Sequence, residues 1–203
     1  REGKFVMQIG KSGPQTDSKD TSRLGKPANM TVDAAANELY VADGYYNHRI
    51  IVFDSETGAF KRMWGAYGKP PTDEKVGPYD PTAAPSQQFG NPVHCVRIAR
   101  DGLVYVCDRQ NDRIQVFKKD GSFVKKKSRQ NGSMWDLEIW PDAAQTFLIN
   151  ADGANNEVRT LLRDNGEIVS RFGRSGRNAG DFHWIHNLAL DSKGNLYTTE
   201  VDN

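Results

Sequence analysis

Four side chains in this sequence combine reactive chemistry with suggestive spacing: Tyr45, His94, Arg109 and His186. His94 and His186 each close a three-residue motif, Pro92-Val93-His94 and Trp184-Ile185-His186. Two motifs at matching places in the chain end in Asn29 (Pro27-Ala28-Asn29) and Trp135 (Ser133-Met134-Trp135). Imidazoles ligate metals and exchange protons near neutral pH. Tyr45 and Arg109 lie in loop sequences that follow an Asp, Asp43–Asn47 and Asp108–Asp112. A phenol close to a cation can accept a proton, and a guanidinium forks onto a carboxylate. Plainer uses stay open for all four: a hydrogen-bonded structural histidine, a tyrosine packed on a rim, an arginine in an ion pair between blades. His48 and His183 fall in loop sequence and read as solvated.

A repeat must position these residues. Residues 89–125 contain four β-type runs, VHCVRIA, LVYVCD, RIQVFK and SFVK, each bounded by turn residues. Four antiparallel strands joined by tight turns make one blade of a β-propeller. The same order recurs from Pro27 to Gly65 as PANMTVD, ELYVAD, RIIVFD and AFKRMWG. A degenerate copy follows as MWDLEIW, TFLINAD, EVRTLL and EIVSRFG, and HNLALD with LYTTEV opens a fourth. Lys4–Gly10 reads as the outermost strand of another blade, and the Pro- and Gly-rich stretch 66–88 as a surface loop. Ile98, Val104, Val106, Ile114, Val116 and Phe117 are the core expected where one face packs on a neighbouring blade.

The segment DRQNDRIQVF resembles an NHL repeat, and no amphipathic segment of helix length occurs. The expected fold class is all-β: an NHL-type β-propeller, one domain over residues 1–203, incomplete at both ends. Six blades are expected, about four of them in this chain; a four-bladed ring is the alternative. Innermost strands line the axial channel, so Asn29, His94, Trp135 and His186 should face it. One residue from every second blade of a six-bladed ring makes a threefold tripod. Three imidazoles so placed suit a zinc ion that keeps a fourth position for water or substrate. The third histidine would lie two blades before His94.

Composition excludes more than it assigns. With 37% hydrophobic and 26% charged residues the chain can bury a core, which argues against disorder. A net charge of +1 gives no field for nucleic acid or membrane, and no apolar run approaches the roughly 18 residues of a membrane span. Lys125–Lys127 sit on an outer strand without aromatic partners, so nucleic acid is not an expected partner. Cys95 and Cys107 lie in consecutive runs; two buried free thiols are expected, with a cross-strand disulfide as the alternative.

The segments DGYYNHRIIVF, PVHCVRI, CDRQNDRIQVFKKDGSFVK, GEIVSRF and HNLALDSKGNLY together resemble the peptidyl-α-hydroxyglycine α-amidating lyases, over about Phe5 to Asn203. The resemblance implies a six-bladed propeller with zinc bound by three histidines and a structural calcium on the axis. It makes His94 and His186 two of the zinc ligands, Tyr45 the catalytic tyrosine and Arg109 an active-site arginine. The implied substrate is a peptide C-terminus or small molecule carrying α-hydroxyglycine, split to an amide and glyoxylate, in an extracytoplasmic or secreted setting. Trp184-Ile185 stands where that family has Met-Pro, and Asn187 where it has a calcium-associated Asp. The rival reading is a non-catalytic NHL propeller that binds a protein or ligand at its rim through Trp135 and Trp184. A calcium lactonase-like propeller would need Glu, Asp or Asn where His94 and His186 stand.

Overall fold

The β-branched and aromatic runs become strands paired into sheets of one recurring plan. The computed structural model describes residues 3–14, 17–128 and 132–201. The strands are β1 (Asn29–Asp33), β2 (Glu38–Asp43), β3 (Arg49–Asp54), β4 (Phe60–Trp64), β5 (Val93–Ile98), β6 (Val104–Asp108) and β7 (Arg113–Phe117). They continue as β8 (Phe123–Ser128), β9 (Asp136–Ile139), β10 (Phe147–Asp152), β11 (Glu157–Leu162), β12 (Ile168–Phe172), β13 (Ile185–Leu190) and β14 (Leu196–Glu200). β1–β4, β5–β8 and β9–β12 each form a four-stranded antiparallel sheet, and β13 pairs with β14. The first strands of successive sheets are neighbours: β1 lies beside β5, β5 beside β9 and β9 beside β13. These are propeller blades set around one axis.

The core lies between blades, on both faces of the middle strands. In β6, Val104 and Val106 pack towards the first blade with Tyr40, Ile50, Val52 and Phe117. The intervening Tyr105 and Cys107 pack towards the third with Met134, Leu137 and Leu148. The sequence pattern had suggested one buried face. Two are buried because a blade is sandwiched by its neighbours, and each buried side chain of this size contributes about 1.5–3 kcal/mol. Of the expected core residues only Ile98 is partly exposed.

Two expectations are corrected. Cys95 and Cys107 form a disulfide, because they stand directly opposite in the β5–β6 register with Cα atoms 4.8 Å apart. Residues 4–10 form no strand; Ile9 instead packs on the face of the first blade made by Val41, Ile51 and Phe53. An apolar sheet face took Ile9 without pairing the segment's backbone, while Phe5 and Val6 stay exposed.

Each complete blade is pinned by a buried carboxylate at the end of its second strand. Asp43 accepts from the Gly25 N–H at 2.7 Å, Asn47 Nδ2 at 2.6 Å and Arg49 Nε at 2.9 Å. Asp108 accepts likewise from Gly90 (2.8 Å), Asn111 (2.9 Å) and Arg113 (2.7 Å). Asp152 accepts from Ser133 (3.1 Å), Asn155 (2.9 Å) and Arg159 (2.6 Å). The remaining guanidinium N–H groups tie down long loops: Arg49 donates to the Ser18, Asp20 and Arg23 carbonyls, and Arg113 to those of Ser86 and Gln88. Removing one partner of a buried pair strands a charge and costs about 3–5 kcal/mol. Arg113→Ala should therefore lose stability on that scale in urea denaturation. Lys125→Ala, which breaks the exposed Lys125–Asp164 pair, should lose no more than about 1 kcal/mol. Equal losses would contradict the clamp's role.

Candidate active site

Both site histidines sit where their strand slips register. Pairing of β5 with β6 shifts between Val93 and Cys95, and pairing of β13 with β14 between Ile185 and Asn187. His94 and His186 are the extra residues, and a β-bulge of this kind re-aims a side chain. The two rings lie edge to face with centroids 4.7 Å apart. Trp135 closes the group, its ring 6.2 Å from His94 and 5.3 Å from His186.

The hydrogen bonds orient each ring. His94 Nδ1 faces the Trp135 carbonyl, which can only accept, so Nδ1 carries the proton. Nε2 of the neutral ring then accepts from the Tyr45 hydroxyl at 3.1 Å. His186 Nδ1 donates to Asn187 Oδ1. Burial pushes the His94 pKa down to about 3; neighbouring His186 and Arg109 act the same way, and the Trp135 carbonyl opposes them. His94 is thus a neutral imidazole at neutral pH.

Tyr45 and Arg109 reach this group from adjacent blades. Gly44 lets the Tyr45 loop lie against the start of β5, since any Cβ there would collide with the Val93 backbone. Asn91 Nδ2 donates to the Tyr45 carbonyl at 2.7 Å and holds the loop. The Arg109 guanidinium lies 3.5 Å from the centre of the Trp135 ring. Burial lowers its pKa from the ordinary value and nearby Tyr45 raises it; an arginine in this setting keeps its charge. The ion pair considered for Arg109 does not form with any described residue; the indole takes its place.

Asn29 faces the axis without joining the histidines. It accepts from Arg97 Nη1 at 2.6 Å, while Arg97 also holds Asp136 (2.9 Å) and Glu138 (3.1 Å). Asp136 in turn accepts from the Leu188 N–H at 2.9 Å and from Asn187 Nδ2 at 3.4 Å. Burial pushes the Asp136 and Glu138 pKa values up, against the pull of Arg97. This chain from Asn29 to Asn187 spans four blades and ends on the amide that orients His186. Sequence reading missed it; the one available signal was Asn187 directly after a funnel histidine.

His48 and His183 lie in loops as expected, half-exposed and with a contact at each ring. His48 bonds the Phe89 carbonyl at 3.0 Å, and His183 stacks on Trp184 at an interplanar angle of 6°. A cavity of about 580 Å³ beneath residues 74–88 is lined by Tyr79, Arg113 and Lys126 and touches none of the site residues.

The histidine pair fits two positions of a metal site. Each Nδ1–H is held by an oxygen acceptor, the usual support of a ligating histidine, and the lone pair that Tyr45 binds on His94 is the one a metal would take. Among the described residues no group of three or more His, Cys, Asp or Glu could hold a metal ion. The surroundings of Asn187 do not fit calcium. Asp136 is committed to Arg97, Leu188 and Asn187, and the fixed guanidinium would repel a second cation.

Fold and site together define a class, a propeller of NHL-type blades with a histidine pair at its axis. The NHL repeat family matches residues 24–53, which cover the first three strands of the first blade. The particular resemblance is to amidating enzymes. Peptidyl-glycine alpha-amidating monooxygenase B of Xenopus laevis is 29% identical over 189 residues, 90% of this chain and 20% of that protein. "Probable peptidyl-alpha-hydroxyglycine alpha-amidating lyase pgal-1" of Caenorhabditis elegans is 29% identical over 208 residues, 98% of this chain and 53% of that protein. The chain therefore spans about half or less of the length of these relatives. Among solved structures, a chain of Kuenenia stuttgartiensis hydrazine synthase superposes with a TM-score of 0.58 at 12% identity, over 90% of this chain and 42% of that one. The RRP9 WD40 repeats superpose at 0.55 and 11% identity, over 80% and 41%. These two likenesses concern the fold alone.

The hydrogen bonds generate a direct expectation for metal-free protein. At pH 6, nitrogen-15 NMR should show His94 neutral and protonated on Nδ1, because burial holds its pKa far below that pH. An imidazolium, or a proton on Nε2, would contradict the site geometry.

Proposed function

We propose that this propeller is a zinc-dependent lyase that splits an α-hydroxyglycine carbinolamide into an amide and glyoxylate. The carrying observation is the convergence of four groups from three blades: two bulge-borne imidazoles 4.7 Å apart, the Tyr45 hydroxyl on His94 Nε2, and Arg109 laid over Trp135. The 29% identity to amidating enzymes over almost the whole chain supports it.

His94 and His186 would supply two zinc ligands, and the ion would act as a Lewis acid that lowers the pKa of the substrate hydroxyl. Tyr45, placed against that position, would give up its phenol proton to solvent when the ion takes His94 Nε2, and as the phenolate would accept the hydroxyl proton and pass it to the leaving nitrogen. The carbon–oxygen bond of the aldehyde forms as the carbon–nitrogen bond breaks, and the leaving amide nitrogen takes up a proton. Arg109 carries a charge that no described carboxylate neutralises, so it is available to the substrate carboxylate or to developing negative charge. Burial among aromatic rings strengthens such an attraction relative to water. In this reading the blades form one propeller domain. The Cys95–Cys107 disulfide favours an extracytoplasmic setting, where such bonds persist. Among the described residues no helix is long and apolar enough to cross a membrane.

A second reading is favoured by Trp184, which is 42% exposed beside its stacked neighbour His183 and resembles a rim for a bound protein or ligand. Activity decides between them. In full-length, zinc-loaded protein supplied with a peptidyl-α-hydroxyglycine, Tyr45→Phe should leave zinc content unchanged and lower kcat about 10²–10⁴-fold. Arg109→Ala should lower kcat/KM. A zinc-filled wild type that releases no glyoxylate above the uncatalysed rate would overturn the lyase reading and leave rim binding.

A further inference from the structure

Resting on that reading, we infer that Trp135 is the positioning residue of the site, holding both ends of the chain Arg109–Tyr45–His94. Its carbonyl accepts the His94 Nδ1 proton, which turns Nε2 towards Tyr45. Its ring carries the Arg109 guanidinium at 3.5 Å, and Arg109 in turn lies beside Tyr45. The ring also meets His186 at an interplanar angle of 86°. One residue thus touches three of the four site groups, and the fourth hangs between two of them.

The choice of an indole has a physical reason. Arg109 is largely buried and lacks a carboxylate among the described residues to hold it. A guanidinium stacked on a π face gains cation–π attraction while its N–H groups stay in plane, free at the edge for a carboxylate. Trp offers the strongest such face. The seat is built for it: Gly153, in the loop after β10, lies directly against the ring, where any Cβ would collide with it. Blade three thereby gives up a side chain at the step where blade two carries its own rim residues, and the indole fills the space.

The test uses full-length, zinc-loaded protein with glyoxylate as the binding probe, alongside turnover of a peptidyl-α-hydroxyglycine. Trp135→Leu should weaken glyoxylate binding and kcat/KM about 10-fold, mostly through KM, with zinc content and Tm retained. Trp135→Phe keeps a π face and should recover to within about 3-fold of wild type. Gly153→Ala keeps the indole but denies its seat, and should follow Trp135→Leu; it carries the test if the Leu variant fails to fold. Wild-type glyoxylate affinity in both Trp135→Leu and Gly153→Ala would overturn the inference, as would a loss that Trp135→Phe does not recover. A wild type that binds glyoxylate in a Trp135-dependent way but turns nothing over would overturn the lyase reading alone. A wild type that does not bind glyoxylate would overturn both.

Discussion

A carboxylate buried at the end of a blade's second strand is the constraint on which the rest depends. Asp43, Asp108 and Asp152 are fully buried, and an isolated charge there would be prohibitively costly. Each is tolerated because a backbone N–H, a loop amide and a guanidinium converge on it. Those partners come from three separate segments: the approach to the innermost strand, the loop after strand two, and strand three. Satisfying one charge therefore fixes the shape of the whole inner end of the blade. Tyr45 and Arg109 lie inside the loops so fixed, which is why they reach the axis with defined aim.

The axis needs a second device, since propeller strands alone point their side chains by simple alternation. The bulges at His94 and His186 break that alternation at two positions, while the β1–β2 pairing at Asn29 keeps its register. Arg97 supplies the positive charge that holds Asp136 and Glu138 beside the innermost strands. Through Asp136 and Asn187 the same charge stabilises the orientation of His186. A site that depends on two rings less than 5 Å apart is served by rigid strands with their polar groups paired, not by mobile loops.

Much of this was legible in the sequence. Strand order, blade limits and the facing of His94, Trp135 and His186 follow from runs such as RIIVFD and RIQVF and from their shared turn signals. What escaped reading depended on registration between segments. The disulfide required Cys95 and Cys107 to be directly opposite, which the bulge one residue earlier determines. Residues 4–10 alternate like a strand but pair with none, and only Ile9 packs on a sheet face while Phe5 and Val6 stay exposed. Arg109 carries no mark in sequence that it will meet an indole 26 positions later in place of a carboxylate.

The central claim is that the two bulges bring His94 and His186 together as ligands of one ion. X-ray absorption at the zinc edge, on full-length protein, addresses it most directly. The account predicts imidazole nitrogens at about 2.0–2.1 Å, with a reduced imidazole contribution in both His94→Ala and His186→Ala. A zinc spectrum without imidazole, or one that neither substitution changes, would contradict it.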